Sequence, residues 1–497
     1  MEDPEFLIIG SGPGGTAAAL KLVRAGRRVL MIEKGPFLPK EADNRDSKAV
    51  YGDKKYRTSD RWIDKDGEEF QPWMHYYVGG NAKLYGAALY RFRKADFQEI
   101  TYPEGLSPAW PIAYEDLDRF YDEAEELYSV HGDREADPTE PTTAPYPLAP
   151  LPDEKGMSAV KEHLLSAGVE SIPLPVGVSL KSRNERWDVD LSHFDAYPDP
   201  SLAKGEPEGC ALPELLENSD VFELRTDCEA RKFLSDSGRV AGVELSDGEV
   251  LTAQHYICAA GAINSAALFL NSEADGSFAN SSGLVGKNYM CHICTTASAV
   301  FAEPHGASFA KTYGTNHWYQ PDQRKVLHGS VQTQGKWDAA QYALEKWTHD
   351  EGEDLESLAA RSFEFFFMTE DLPAKENAVT LTEDGRIKIE RDVLGMGEHE
   401  LLVEKFEKSL SEGTVLQLER FRHQVLPVSW CTHQCGTLKF GDDPQTSVLN
   451  RMCRAHDVQN LTVLDASFFP SSSALNPTLT IVANALRVGE HLAVSDI

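Results

Sequence analysis

Two short stretches near the C-terminus carry residue types that do proton chemistry. Thr432–Asp443 reads THQCGTLKFGDD and sets the His433 imidazole just before the Gly436-Thr437 pair. Leu461–Thr480 reads LTVLDASFFPSSSALNPTLT, an apolar strand over Leu461–Leu464 that ends in Asp465-Ala466-Ser467. A turn follows, and Asn476-Pro477-Thr478 opens a helix expected to run to about Val488. Backbone N–H groups gather at strand ends and helix starts, where they hold anionic or polar cofactors. An imidazole and an amide beside such a cofactor pair a base with an orienting group, which suits removal of a proton from an alcohol. On residue pattern alone, a buried structural histidine beside Gly436 is the commoner case. His423 and His456 have no such surroundings and are read as structural.

The element that would hold the cofactor stands at the other end of the chain. Phe6–Ile9 is an all-apolar strand that runs into Gly10-Ser11-Gly12-Pro13-Gly14-Gly15. An Ala/Leu-rich helix, Thr16–Ala25, and a second strand, Val29–Ile32, follow, with Glu33 at the strand's end. This is the dinucleotide-binding fingerprint in its full context. Gly10 allows the tight turn, Gly12 admits a pyrophosphate to the backbone, and Gly15 lets helix pack on strand. Glu33 accepts from a ribose hydroxyl and disfavours a 2′-phosphate. Flavin and nicotinamide dinucleotides both satisfy this motif.

Composition narrows the partners. A formal charge of −31 argues against nucleic acid or an anionic membrane and fits a neutral or cationic small substrate. No apolar run reaches the ~18 residues of a membrane span. Glu-Asp-Pro-Glu follows Met1 and leads straight into a strand, so no signal peptide is expected and the setting reads as cytoplasmic. The 8 cysteines are too dilute for a disulfide scaffold. Cys291-His292-Ile293-Cys294 and Cys431-Thr432-His433-Gln434-Cys435 invite a zinc reading, but they lack paired-knuckle spacing, so no metal is expected.

Between the two ends the chain alternates ordered and broken stretches. Asp46–Trp73 reads as a polar excursion over the surface. Tyr76–Gly86 carries the paired Gly79-Gly80 and Asn81, either a close approach to a flat group or a tight loop. Tyr114–Tyr128 is an amphipathic helix whose apolar stripe is core. Asp133–Asp153 is Pro-rich and irregular, Glu154–Ala167 is helical, and Ser192–Leu212 reads as loop. Strands follow at Val221–Arg225, Ala230–Leu234, Val240–Leu245 and Tyr256–Ala259, the last leading into a helix from about Ser265. Thr295–Phe367 alternates apolar and aromatic residues, Asn377–Glu390 is a hairpin, and Glu400–Glu412 is a helix. The fold class is therefore α/β (α+β overall).

Taken in order, Gly10–Glu33, Val78–Gly86, Cys258–Ser265, Val285–His292, His433–Thr437 and Asp465–Thr480 resemble the glucose-methanol-choline (GMC) oxidoreductases over nearly the whole chain. H-x-x-G-T followed by DAS and NPTLT is the most specific part. The resemblance implies FAD, held in a Rossmann-like domain assembled from residues 1–100, 215–295 and 440–497. A discontinuous substrate domain of antiparallel sheet and helices would take 101–214 and 296–439. It implies His433 as base and Asn476 as partner. Asp465, Ala466 and Thr478 would border the cofactor, Ala230 would touch adenine through its backbone, and Gly79, Gly80 and Asn81 would face the isoalloxazine. Members that attach FAD covalently do so through a His after the paired glycines. Ala82-Lys83-Leu84-Tyr85 has none, so dissociable FAD is expected. Trp62–Arg93, Ser107–Pro111 and Glu370–Leu381 look most like the bacterial branch near pyranose and glycoside 3-oxidases. The implied activity is oxidation of an alcohol, the lean being a secondary hydroxyl of a sugar or glycoside. The electron acceptor would be O2 or another small molecule. A non-sugar alcohol, a redox-silent lyase on the same fold, a nicotinamide dehydrogenase and a non-catalytic binding protein are the rivals.

Overall fold

A computed structural model describes residues 4–142, 144–180, 191–272, 277–319 and 328–495. The elements that matter for the site are, in chain order, β1 (Phe6–Ile9), α1 (Pro13–Arg24), β2 (Val29–Ile32), α2 (Asp118–Leu127), β3 (Phe222–Arg225), β4 (His255–Cys258) and α3 (Ala262–Leu270). Then come β5 (Ile293–Phe301), β6 (Tyr313–Thr315), β7 (Gly329–Thr333), β8 (Ser362–Thr369), α4 (Met396–Glu412), β9 (Leu418–Val425), β10 (Leu461–Val463) and α5 (Thr478–Val494).

Five strands form a parallel sheet in the order β3-β2-β1-β4-β10. Parallel strands are covered on both faces, which is why β1 and β2 are wholly apolar and fully buried rather than alternating. The last strand reaches the sheet from the far end of the chain, with Cys258 beside Val463. α5 then lies against α1 so closely that a Cβ on Gly489 would stand 3.1 Å from the Ala18 Cα. Tyr121 of α2 shares a 2.8 Å hydrogen bond with Thr480 of α5. The chain's two ends are thus one packed layer, and residues 433–480 arrive beside the Gly10–Gly15 turn.

A second sheet of six antiparallel strands runs β9-β5-β8-β7-β6 and ends on Ile172–Pro173. Phe363, Phe365 and Phe367 of β8 sit on one face, buried against Phe406 and Leu410 of α4. The intervening Phe366 faces the other way, toward the cavity described below. The Asn377–Glu390 hairpin forms as its pattern implies, with Val379 opposite Ile389.

Besides shifted helix ends, with α3 starting at Ala262 and α5 running to Val494, three local expectations differ from the structure. Asp46–Trp73 is not a plain surface excursion: Trp62 and Trp73 are buried, and Ile63 pairs with Lys388 of the hairpin. The many charges there lie on turns that frame two inward-facing tryptophans. Ser192–Leu212 contains a short helix at Pro207–Cys210, because Pro207 occupies the first helical position, where a missing N–H costs nothing. Glu206 caps it by accepting from the Glu208 and Gly209 N–H groups. α1 begins at Pro13, earlier than Thr16, for the same reason.

Candidate active site

One cavity of about 720 Å³ is lined by both ends of the chain and by the second sheet. Its first wall is the turn between β1 and α1. Gly10 takes a left-handed φ of 100°, and side chains on Gly14 and Gly15 would overlap main-chain oxygens of Leu464 and Gly10. Gly12 is different: a Cβ there meets nothing within 4 Å, because the residue faces the open cavity. The first-turn N–H groups of α1 have no intrahelical acceptors, and Pro13 and Gly14 of that turn line this space.

Glu33 lies buried on the same wall. Ser11 N–H and Oγ donate to its Oε2 at 3.0 and 2.7 Å, and the Gly35 N–H donates to Oε1 at 3.2 Å. Burial raises the carboxyl's pKa, and those three donors act against the rise. Ser11 Oγ also accepts from the Gly79 N–H at 3.0 Å, so one hydroxyl joins the acid to the paired-glycine loop. Gly79 and Gly80 adopt φ of 100° and 63°, and a Cβ on Gly80 would lie 3.4 Å from the Gly12 Cα. The two glycine turns therefore meet. The Asn81 side chain accepts from the His75 N–H at 2.9 Å and so fixes the loop's far side. Gly80 and Asn81 line the cavity, whereas Gly79 stands behind it, over the buried Lys83–Glu206 pair.

The remaining walls come from β4, β10 and α5. Ala230 lines the cavity at the start of its strand. Asp465 is buried and accepts from Gly261 N–H at 3.0 Å, Ser265 Oγ at 2.5 Å and Ser467 N–H at 2.8 Å, with a further short bond from Ser467 Oγ. Its immediate work is to tie the end of β10 to the β4–α3 turn. Ala466, Asn476 and Thr478 line the cavity beside it, Thr478 at the first turn of α5.

His433 opens on this cavity and its protonation pattern is set from behind. Its Nδ1 lies 3.0 Å from Nδ1 of His292, whose Nε2 lies 2.8 Å from the Ser472 carbonyl oxygen. A carbonyl only accepts, so His292 donates through Nε2, and as a neutral ring it accepts through Nδ1. His433 must then donate through Nδ1, which leaves its Nε2 lone pair toward the cavity; the tautomer is assigned from these partners. Burial, then the neighbouring His292 and the Lys311 ammonium, hold the His433 pKa well below the usual imidazole value. Burial likewise brings His292 to about 4. Both rings are neutral at pH 7, the form a base requires. On the wall of the same cavity, Gln332 Nε2 donates to Asn476 Oδ1 at 3.3 Å, which leaves the Asn476 NH2 group for the open space.

All the residues singled out from sequence except Gly79 and Gly15 line this one cavity. Ser11, His292 and Gln332 had been passed over. Ser11 is hidden between glycines, and His292 enters the sequence reading only in the metal cluster and at the end of a matched stretch. Gln332 sits in a strand whose pattern says only strand. All eight cysteines are free thiols, and among the described residues no group of three or more His, Cys, Asp or Glu could hold a metal ion.

The fold and this site define an α/β enzyme built around a dinucleotide cofactor. The chain belongs to the GMC oxidoreductases: family models of that description match residues 13–294 and 382–485. It is 26% identical to a 2-methyl-1,2-propanediol dehydrogenase from Mycolicibacterium austroafricanum, covering 99% of this chain and 95% of that protein. It is 28% identical to a 6'''-hydroxyparomomycin C oxidase from Streptomyces lividus, covering 98% and 91%. The crystal structure of a pyridoxine 4-oxidase from Mesorbium loti superposes with a TM-score of 0.70 at 16% identity, covering 100% of both chains. Members of this family are FAD-dependent and act on CH–OH groups. The residues present fit that cofactor. Gly12 leaves its space unfilled, Glu33 is a carboxylate acceptor on the cavity wall, and the start of α1 lines the cavity where helix N–H groups suit an anion. Among the described residues, no helix is long and apolar enough to cross a membrane.

Proposed function

We propose that this protein oxidises a secondary hydroxyl of a sugar or glycoside to a carbonyl, with His433 as general base and Asn476 holding the reacting oxygen. The observation that carries the reading is the His433 Nε2 lone pair, fixed toward the cavity by His292, in the same cavity that the Asn476 amide lines. Nε2 takes the hydroxyl proton as negative charge develops on the oxygen, and the Asn476 NH2 group donates to that oxygen. Bound FAD supplies what the side chains lack, acceptance of a hydride from the carbinol carbon. The cavity away from Gly12 carries Thr296, Gln332, Gln334 and Gln424, a hydrogen-bonding wall that suits a polyhydroxylated substrate. Relatives named for 2-methyl-1,2-propanediol and for 6'''-hydroxyparomomycin C support a substrate with more than one hydroxyl.

Gly10, Gly12 and Gly14 with Glu33 would hold the pyrophosphate and ribose, Gly15 would keep the turn packed behind them, and Ala230 would meet the adenine. Gly80, Asn81, Asp465, Ala466 and Thr478 would surround the flavin end, with Gly79 behind them shaping the loop. The cofactor domain would comprise 1–100, 215–295 and 440–497. FAD would be held without a covalent bond, since Ala82–Tyr85 offers no histidine.

The test is the anaerobic visible spectrum of the FAD-loaded protein during addition of sugars, glycosides and simple alcohols. A glycoside should bleach the flavin band, and His433→Ala should keep FAD but slow bleaching by roughly 10²–10⁴. A variant that bleaches at the wild-type rate would overturn the assignment of His433. A yellow protein that no alcohol bleaches would favour the lyase or binding reading. Acid precipitation of the same sample should leave FAD in the supernatant.

A further inference from the structure

We propose that the ion pair between Lys311 and Asp195 is a subsite that binds a second hydroxyl of the substrate, next to the one that is oxidised. The proposal rests on the alcohol-oxidation reading above and names the feature of the substrate that the enzyme selects.

The pair is built rather than incidental. Lys311 Nζ and Asp195 Oδ2 are 2.5 Å apart, and both residues line the cavity that contains His433 and Asn476. Asp195 is wedged in place by two glycines. A Cβ on Gly86 would lie 2.4 Å from its Oδ1, and a Cβ on Gly335 would lie 3.0 Å from its Cβ. Lys311 is pinned by a second bond, Nζ to the Thr333 carbonyl at 3.3 Å. Thr333 directly follows Gln332, the residue whose amide holds Asn476. One strand, β7, therefore sets the spacing between the ion pair and the group that would grip the reacting oxygen.

Each partner has bonding capacity left over. A lysine ammonium has three N–H donors, and two of these are committed, to Asp195 and to Thr333. Asp195 Oδ1 has no hydrogen-bond partner among the described residues, and it is not sealed from the cavity space. A pair serving only to knit the fold would be satisfied internally. A free donor beside a free acceptor on a cavity wall matches a hydroxyl, which both accepts and donates. The Lys311 ammonium is also near enough to His433 to depress the imidazole's pKa, so the subsite and the base share one space. The pair is close to neutral overall, which favours an uncharged hydroxyl over a carboxylate.

The experiment compares anaerobic flavin reduction of the FAD-loaded protein by matched alcohols. These are 2-methyl-1,2-propanediol against 2-methyl-1-propanol, and methyl β-D-glucopyranoside against its monodeoxy analogues. The efficiency of reduction in the wild type should favour the member with the extra hydroxyl by about tenfold or more, the effect of a hydrogen bond to a charged group. Lys311→Met and Asp195→Asn should each bring that ratio to within about threefold of one. The double variant, which strands no single buried charge, should do the same. A ratio taken within one variant cancels any loss of folded protein. Bleaching without preference in the wild type, or a preference kept intact in the variants, would overturn the subsite alone. Wild-type protein bleached by no member of the panel would bring down the alcohol-oxidation reading, and the subsite with it.

Discussion

Replacing His292 with leucine removes the acceptor for the His433 Nδ1–H while leaving His433, Asn476 and the cofactor walls in place. The magnitude follows from the two choices then open to His433. If it keeps its proton on Nδ1, that N–H is buried without a partner, at about 1–3 kcal/mol. If the proton moves to Nε2, the lone pair leaves the cavity and the base is lost. Either way the productive form becomes less populated by that energy, which converts to roughly 5- to 150-fold in the rate of flavin reduction at 1.4 kcal/mol per tenfold. His292→Gln keeps an acceptor oxygen on a side chain of similar reach and should recover much of the rate. The assay is anaerobic stopped-flow bleaching of the flavin by the best alcohol, with FAD content measured for each variant. The pH profile adds a readout that packing damage would not imitate. In the wild type the His433 pKa lies well below 6.5, so the rate should hold its plateau down to that pH and fall only at lower values. Loss of His292 removes a cause of that depression along with the tautomer lock. If His292→Leu retains FAD and reduces it at the wild-type rate with an unchanged profile, the reasoning from the imidazole pair is refuted.

A pair of glycine variants separates cofactor space from packing. Gly12→Ala introduces no clash, and Gly12 has φ of −68°, so the apo protein should be as stable or more stable by about 0.4–1 kcal/mol while FAD affinity falls. Gly14→Ala would set a Cβ 1.6 Å from the Leu464 oxygen, and soluble, FAD-loaded protein should be lost; titration with FAD and thermal unfolding check both. His255, buried on β4 and away from the cavity, has its pKa lowered by burial to about 4. The unfolded chain protonates it near 6.5, so its contribution is complete above that pH and is lost as pH falls toward 4. Relative to His255→Gln, the wild type should therefore lose on the order of 2 kcal/mol of stability between pH 7 and pH 5, read by denaturant unfolding of both proteins. A constant difference across that range would contradict the assignment.

How much of this was legible beforehand depends on whether the signal was local. β1, the glycine turn, α1 and β2 were readable because strand, turn and helix each rest on residues a few positions apart. The same holds for the hairpin and for the amphipathic face of α2. Trp62 and Trp73 misled because much of their burial comes from residues more than three hundred positions away, Ile389 clustered with Trp62 and Trp430 stacked on Trp73. Pro207 misled because a proline that breaks a helix interior also starts one well.

The sequence by itself determined the glycine turn and the α/β class, since those signals are contiguous; it singled out His433 and Asn476 only through the family resemblance, because residue pattern alone favours a structural histidine. The tertiary structure alone decided which nitrogen of His433 faces the cavity, through a histidine 141 positions away and a backbone carbonyl 180 positions from that histidine. It alone joined Ser11 to Gly79, aimed Asn476 by Gln332, and set Lys311 against Asp195. Hydrogen-bond direction and proton position depend on partners brought together by sheet order and helix packing, and no spacing along a chain records them.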